Sequence, residues 1–134
     1  MSGILVDSNV LLDVLTDDPT WGDWSSDALE RASDVSRLSI NPVIFAEVSV
    51  RIPTKEEMDE HLPPDRFARE PIPYDAAFLA GKAYSLYRRR GGTRISPLPD
   101  FFIGAHAAVA GYRLLTRDAS RFRSYFPRLH LIAP

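Results

Sequence analysis

The chain has 134 residues, 45% of them hydrophobic, with 16 basic against 18 acidic side chains and no cysteine. This length suits one domain, expected over 1–134, with enough apolar material for a core. Without cysteine there can be no disulfide, thiolate zinc site, iron–sulfur cluster or cysteine nucleophile; His61, His106 and His130 lack ligand-like spacing, so any metal site would be built from oxygen and hold a hard cation.

No run approaches the roughly 20 continuous apolar residues of a membrane span, and no basic segment followed by an apolar stretch marks a signal peptide. A soluble, cytoplasmic protein with no membrane partner is therefore expected. Residues 1–75 hold 16 acidic and 6 basic side chains, whereas residues 76–134 hold 10 basic and 2 acidic. A basic half suggests a polyanionic partner, although interleaved halves need not form a patch. The two acids retained there are Asp100 and Asp118.

Gly3 to Val6 is a short apolar run of the kind that forms a strand buried on both faces. Ser8 or Asn9 can cap a helix carrying Val10, Leu11, Val14 and Leu15 and ending near Asp17-Asp18-Pro19. The pattern predicts a helix from about Trp24 to Asp34, then a strand at Leu38 to Ile40. Asn41-Pro42 signals another helix start, and Val43, Ile44, Phe45, Ala46, Val48 and Val50 make that helix apolar nearly all round, hence buried. Thr54-Lys55-Glu56-Glu57 resembles a capping box opening a solvated helix that Pro63-Pro64 stops. An extended piece is expected near Pro71 to Pro73. Asp75 can cap a helix from Ala76 to about Arg90, ended by Gly91-Gly92. A loop through Pro99 leads into Asp100 and an apolar helix to about Gly111, followed by strands at Leu114 to Thr116 and Leu129 to Ile132. Strands alternating with helices predict an α/β fold: a central, mostly parallel twisted sheet flanked by helices in three layers.

In such sheets, ligands bind beyond the carboxyl ends of the strands. Asp7 directly follows the first strand, and Asp118 stands two residues after Thr116. Glu47 lies within the apolar helix, and Asp100 opens another. Each has a bland explanation: Asp7 and Asp118 as turn formers, Asp100 as a helix cap, Glu47 paired with an arginine or reaching solvent. One site in which four carboxylates converge on a divalent cation explains all of them together, because the ion offsets both desolvation and mutual repulsion. Such a set suits Mg²⁺ or Mn²⁺ and phosphoryl transfer, with hydrolysis the natural outcome. Neither a phosphate-binding Gly-x-x-x-x-Gly-Lys loop nor a Gly-x-Ser-x-Gly elbow is present.

Ile4-Leu5-Val6-Asp7-Ser8-Asn9-Val10-Leu11-Leu12-Asp13, Ala46-Glu47-Val48, the run from Pro99 to Ala107 and Leu114-Leu115-Thr116-Arg117-Asp118 together resemble the ordered motifs of PIN-domain ribonucleases, especially VapC-type toxins. The resemblance spans essentially the whole chain. It implies a Mg²⁺- or Mn²⁺-dependent endoribonuclease that is the toxin of a toxin–antitoxin pair, with RNA as substrate, a cognate antitoxin as partner, and a homodimeric state. Asp7, Glu47, Asp100 and Asp118 match the family's acidic set; Asn9 and Thr116 match supporting polar positions. The proline-rich segment from Thr54 to Glu70 matches no family pattern. Arg88, Arg89, Arg90 and Arg94, with Arg117, Arg121 and Arg123, are candidates for RNA phosphate contacts; as helix-end charges they are equally ordinary. Trp21 and Trp24 are expected to pack, Asp13 to be solvated, and His106 to be structural. Two rivals are a non-catalytic PIN-like module binding RNA or protein, and a phosphatase of haloacid-dehalogenase type. The phosphatase would need a second Asp where Asn9 stands.

Overall fold

The computed structural model describes residues 3–95 and 97–134. β1 (Ile4–Val6) is the central strand, and its three side chains have no solvent exposure. An uninterrupted Ile-Leu-Val run tolerates that position because both faces are covered, and each such side chain contributes about 1.5–3 kcal/mol on burial. β1 pairs in parallel with β2 (Leu38–Ile40) on one side and β4 (Arg113–Leu115) on the other. β3 (Phe67–Arg69) extends the sheet beyond β2 and β5 (Leu131–Ile132) extends it beyond β4, so the order is β3-β2-β1-β4-β5 with every pairing parallel.

Seven helices among the described residues flank this sheet: α1 (Ser8–Leu15), α2 (Gly22–Val35), α3 (Pro42–Ser49), α4 (Lys55–His61), α5 (Tyr74–Arg89), α6 (Leu98–Ala110) and α7 (Ser120–Tyr125). α1 packs on α2 and α3, α5 on α6, and α6 also meets α3 and α7. Local chemistry sets several starts and stops. Asn41 Oδ1 accepts from the Ile44 N–H at 2.9 Å, and Pro42 occupies the first position of α3, where its missing N–H costs nothing. Thr54 Oγ1 accepts from the Glu57 N–H at 3.1 Å to open α4. α6 ends on Gly111 at φ 73°, a left-handed value that favours glycine. No described helix is long and apolar enough to cross a membrane.

The α/β architecture and the parallel sheet are as expected, and several boundaries differ. The extended segment is Phe67–Arg69, an edge strand four residues before the expected prolines. α6 begins at Leu98, so Asp100 is its third residue; the loop expected through Pro99 takes in Ser96, which lies outside the described residues. Asp7, rather than Ser8 or Asn9, occupies the N-cap of α1, and Pro73 rather than Asp75 that of α5. α7 was not anticipated. α3 is apolar nearly all round yet buries only Ile44 and Val48, leaving Ala46 exposed. An eight-residue helix on one side of a sheet covers a single stripe, whatever its outer face carries.

Candidate functional site

Strand order reverses direction at β1: the chain moves from β1 to β2 and β3 on one side, then returns to β4 and β5 on the other. The carboxyl ends of β1 and β4 therefore border the crevice where such sheets bind ligands. The Asp7 N–H donates to the Leu115 carbonyl at 2.8 Å, tying the two strand ends together. Although Asp7 is the N-cap residue, its carboxylate makes no capping bond and is only 4% exposed. Its Oδ2 instead accepts from the Thr116 hydroxyl at 2.8 Å. That hydroxyl in turn accepts from Asn9 Nδ2 and from the Asp118 N–H, each at 3.2 Å. One donor and two acceptor positions are all used, which fixes the orientation of a fully buried side chain.

The other acids arrive from separate elements. Glu47 projects from α3, where Oε1 accepts from the Ser8 hydroxyl at 2.7 Å; Ser8 adjoins Asp7. Asp100 lies in the first turn of α6, beside the fully buried Phe101. Rings of Tyr84, Tyr87 and Tyr125 pack at 5.2–5.7 Å from that of Phe101, anchoring this helix end against α5 and α7. Arg121 Nη1 donates to Asp100 Oδ2 at 2.9 Å. Asp118 follows β4 and is exposed, unlike the expensive placement its sequence suggested. Its Oδ1 accepts from the Ser120 hydroxyl at 3.3 Å.

Electrostatic influence links Asp7, Glu47 and Asp100 with one another, and Asp118 with Asp100. Burial pushes the Asp7 carboxyl up to about 7, with the charges of Asp100 and Glu47 adding to the rise and the Thr116 hydrogen bond opposing it. Glu47 is raised by burial and then by Asp100, against the Ser8 hydrogen bond. Asp100 is raised by burial and by Asp118, against the Arg121 hydrogen bond and charge. Such shifts mark carboxylates that disfavour their own charge until a cation joins them.

The donor chemistry fits a hard divalent cation: every candidate ligand is carboxylate oxygen, backed by hydroxyl and amide partners. Among the described residues, however, no group of three or more His, Asp or Glu side chains is arranged to hold a metal ion as it stands. Asp100 is turned to Arg121 and Glu47 to Ser8. Ser8 and Arg121 are thus site residues that sequence reasoning did not single out for these contacts. A hydroxyl next to Asp7 and an Arg three residues past Asp118 were the available signals.

Asp13, expected in solvent, is 3% exposed and pairs with Arg117 Nε and the Ser25 hydroxyl, each at 2.7 Å. The correction comes from α2, which covers that face of α1. Arg117 also lies 5.7 Å from the Trp21 ring, and Trp21 meets Trp24 edge-on at 6.3 Å. Arg88, Arg89, Arg90 and Arg94 are exposed around the end of α5, with Arg90 5.3 Å from the Tyr125 ring. Arg123 is exposed on α7. His106 is buried, its Nδ1 3.0 Å from Asn41 Nδ2, and burial lowers its pKa. A neutral His106 accepts there and ties α6 to the start of α3.

The model of the PIN domain family matches residues 4–125, and the chain belongs to that family. No curated protein sequence matches it. Its fold is similar to that of solved structures at low identity. VapBC2 from Rickettsia felis, bound to a DNA fragment from their promoter, aligns with TM-score 0.73 at 18% identity over 97% of each chain. FitAcB from Neisseria gonorrhoeae gives 0.71 at 18% over 96% of each. A toxin–antitoxin complex from Klebsiella pneumoniae gives 0.63 at 22% over 90% of each.

Proposed function

We propose that this chain is a divalent-metal-dependent endoribonuclease, hydrolysing RNA phosphodiester bonds as the toxin of a cytoplasmic toxin–antitoxin pair. The observation that carries the reading is the Asp7 carboxyl, 4% exposed and held by Thr116 at the point where the strand order reverses, where burial and the charges of Asp100 and Glu47 raise its pKa. A fold alone would not retain so costly a group. Membership of the PIN family supports nuclease chemistry, and fold neighbours that are VapBC or toxin–antitoxin complexes support a cognate antitoxin as partner. The resemblance of the sequence motifs to VapC-type toxins is the ground for a homodimer.

Asp7, Asp100 and Asp118 are the residues that would hold Mg²⁺ or Mn²⁺, with Glu47 positioning a second ion or the attacking water. When bound, the ion supplies Lewis-acid polarisation of the phosphodiester and an acidified water. Thr116 and Asn9 keep the Asp7 carboxylate in one orientation. Ser8 does the same for Glu47. Arg88, Arg89, Arg90 and Arg94 neutralise phosphates of the RNA strand outside the reacting bond.

A non-catalytic PIN-like module is the second reading, favoured by the Asp100–Arg121 pairing and by the absence of a ready-made ligand trio among the described residues. Mn²⁺ calorimetry separates the two. The nuclease binds Mn²⁺ and cleaves RNA with it, EDTA stops cleavage, and Asp7→Asn or Asp100→Asn abolishes it with the fold retained. Undiminished cleavage by either variant, or no Mn²⁺ binding by the wild type, overturns the assignment.

A further inference from the structure

Asn9 and Asp13 are four residues apart in α1 and therefore share one face of the helix. Both contact residue 117. Asn9 Oδ1 accepts from the Arg117 N–H at 3.4 Å, and Asp13 Oδ2 accepts from Arg117 Nε at 2.7 Å. Arg117 is the residue between Thr116, which holds Asp7, and Asp118. Its backbone and its side chain are therefore each tied to α1, the helix that Asp7 begins. The Asp13 end is built to last: its side chain is 4% exposed, the Ser25 hydroxyl of α2 donates to the same oxygen at 2.7 Å, and the guanidinium lies 5.7 Å from the Trp21 ring. A buried carboxylate so placed holds its partner strongly, because parting them strands a charge away from water.

We propose that Asp13 is a positioning residue: together with Asn9 it grips Arg117 at two points and so fixes the backbone that carries Thr116 and Asp118 into the site. The consequence for the reaction rests on the nuclease reading above. Arg117 then works inward, as the gripped element, and is not one of the arginines that bind RNA. The N-cap residue of one helix and its positions 9 and 13 thus hold a segment more than 100 positions later in the chain.

Hydrogen exchange and kinetics on the full chain test this. In Asp13→Ala the amides of residues 116–118 exchange about tenfold faster while α5 is unchanged, and kcat falls about tenfold or more with KM within about twofold. Arg117→Ala gives the same kcat loss, and the double variant is no worse than the worse single. Wild-type exchange in Asp13→Ala, or an effect of Arg117→Ala on KM alone, overturns the proposal. A lower melting temperature with unchanged kcat does so too, since that describes a merely structural pair. If Asp13→Ala does not fold, Asp13→Asn, with the volume kept and the charge removed, carries the same readouts. Should the wild type cleave no RNA, the nuclease reading falls, and the exchange rates still decide the grip.

Discussion

The Arg121 guanidinium donates to Asp100 Oδ2 at 2.9 Å, with the two side chains 37% and 34% exposed. The chain thus supplies a cation of its own to one of the four candidate carboxylates, and it opposes the rise in the Asp100 pKa that burial and Asp118 cause. Removing it has two opposite consequences. In Arg121→Gln the metal-free protein loses about 1 kcal/mol or less, as suits a half-exposed pair. On the metal-dependent reading proposed above, Mn²⁺ affinity rises about three- to tenfold, because the ion no longer competes with the guanidinium. Calorimetric titration of wild type and variant under one buffer checks the direction; weaker Mn²⁺ binding in the variant contradicts it.

Asp7 carries a pH dependence of definite sign. Burial raises its pKa to about 7 from the 3.8 of an ordinary aspartate, so between those values the native state holds the proton more tightly than the unfolded chain. Stability from this group is complete below the unfolded value and is lost as pH rises through the folded one. Asp7→Asn, which cannot ionise, should be more stable than the wild type at pH 8 in EDTA, by an amount on the order of a few kcal/mol. The difference should vanish near pH 4. Thermal unfolding across that range is the measurement, and a constant difference would refute the assignment of the titration to Asp7.

The Thr116 hydroxyl serves Asp7, Asn9 and Asp118 at once. Thr116→Val keeps the volume but leaves the Asn9 amide and the Asp118 N–H without their acceptor. A loss of about 1–3 kcal/mol in stability follows, with, on the nuclease reading, a larger fall in RNA cleavage than stability explains. Thr116→Ser, which restores the hydroxyl, should recover most of both. Parallel urea unfolding and cleavage assays distinguish the two variants.

Gly104 shows why α6 carries a glycine in an otherwise apolar helix. A Cβ there would stand 2.5 Å from the Phe126 ring and 3.0 Å from that of Phe122, both of which are buried. Gly104→Ala should therefore destabilise by about 1–3 kcal/mol despite the better helix propensity of alanine. Phe126→Leu in the same chain should recover part of that loss, as read from melting temperatures.

Much of this arrangement was legible along the chain. The central strands are unbroken apolar runs that only a doubly covered sheet accepts, and Asn41-Pro42 and Thr54 carry their capping chemistry openly. Asp7, Glu47 and Asp100 stood out because they interrupt apolar surroundings. What escaped notice depends on distant partners or on weak local signals. β3 is an edge strand with one buried side chain among three, lying between proline clusters that looked more extended than it did. α7 has six residues, two of them arginine, too few to declare a period. The burial of Asp13 requires Ser25 from α2 and an arginine 104 positions away. The fate of α3's outer face depends on what covers it, which its own pattern does not encode.

The bond from Thr116 to Asp7 joins residues 109 positions apart. Synthesis from the N-terminus therefore delivers Asp7 well before its holder. A nascent chain still short of β4 lacks Thr116, Asp118 and the strand that borders the crevice. Under the nuclease reading, the RNA-cutting site stays incomplete until β4 and the residues that follow it have been made. That delay is built into the order of the strands.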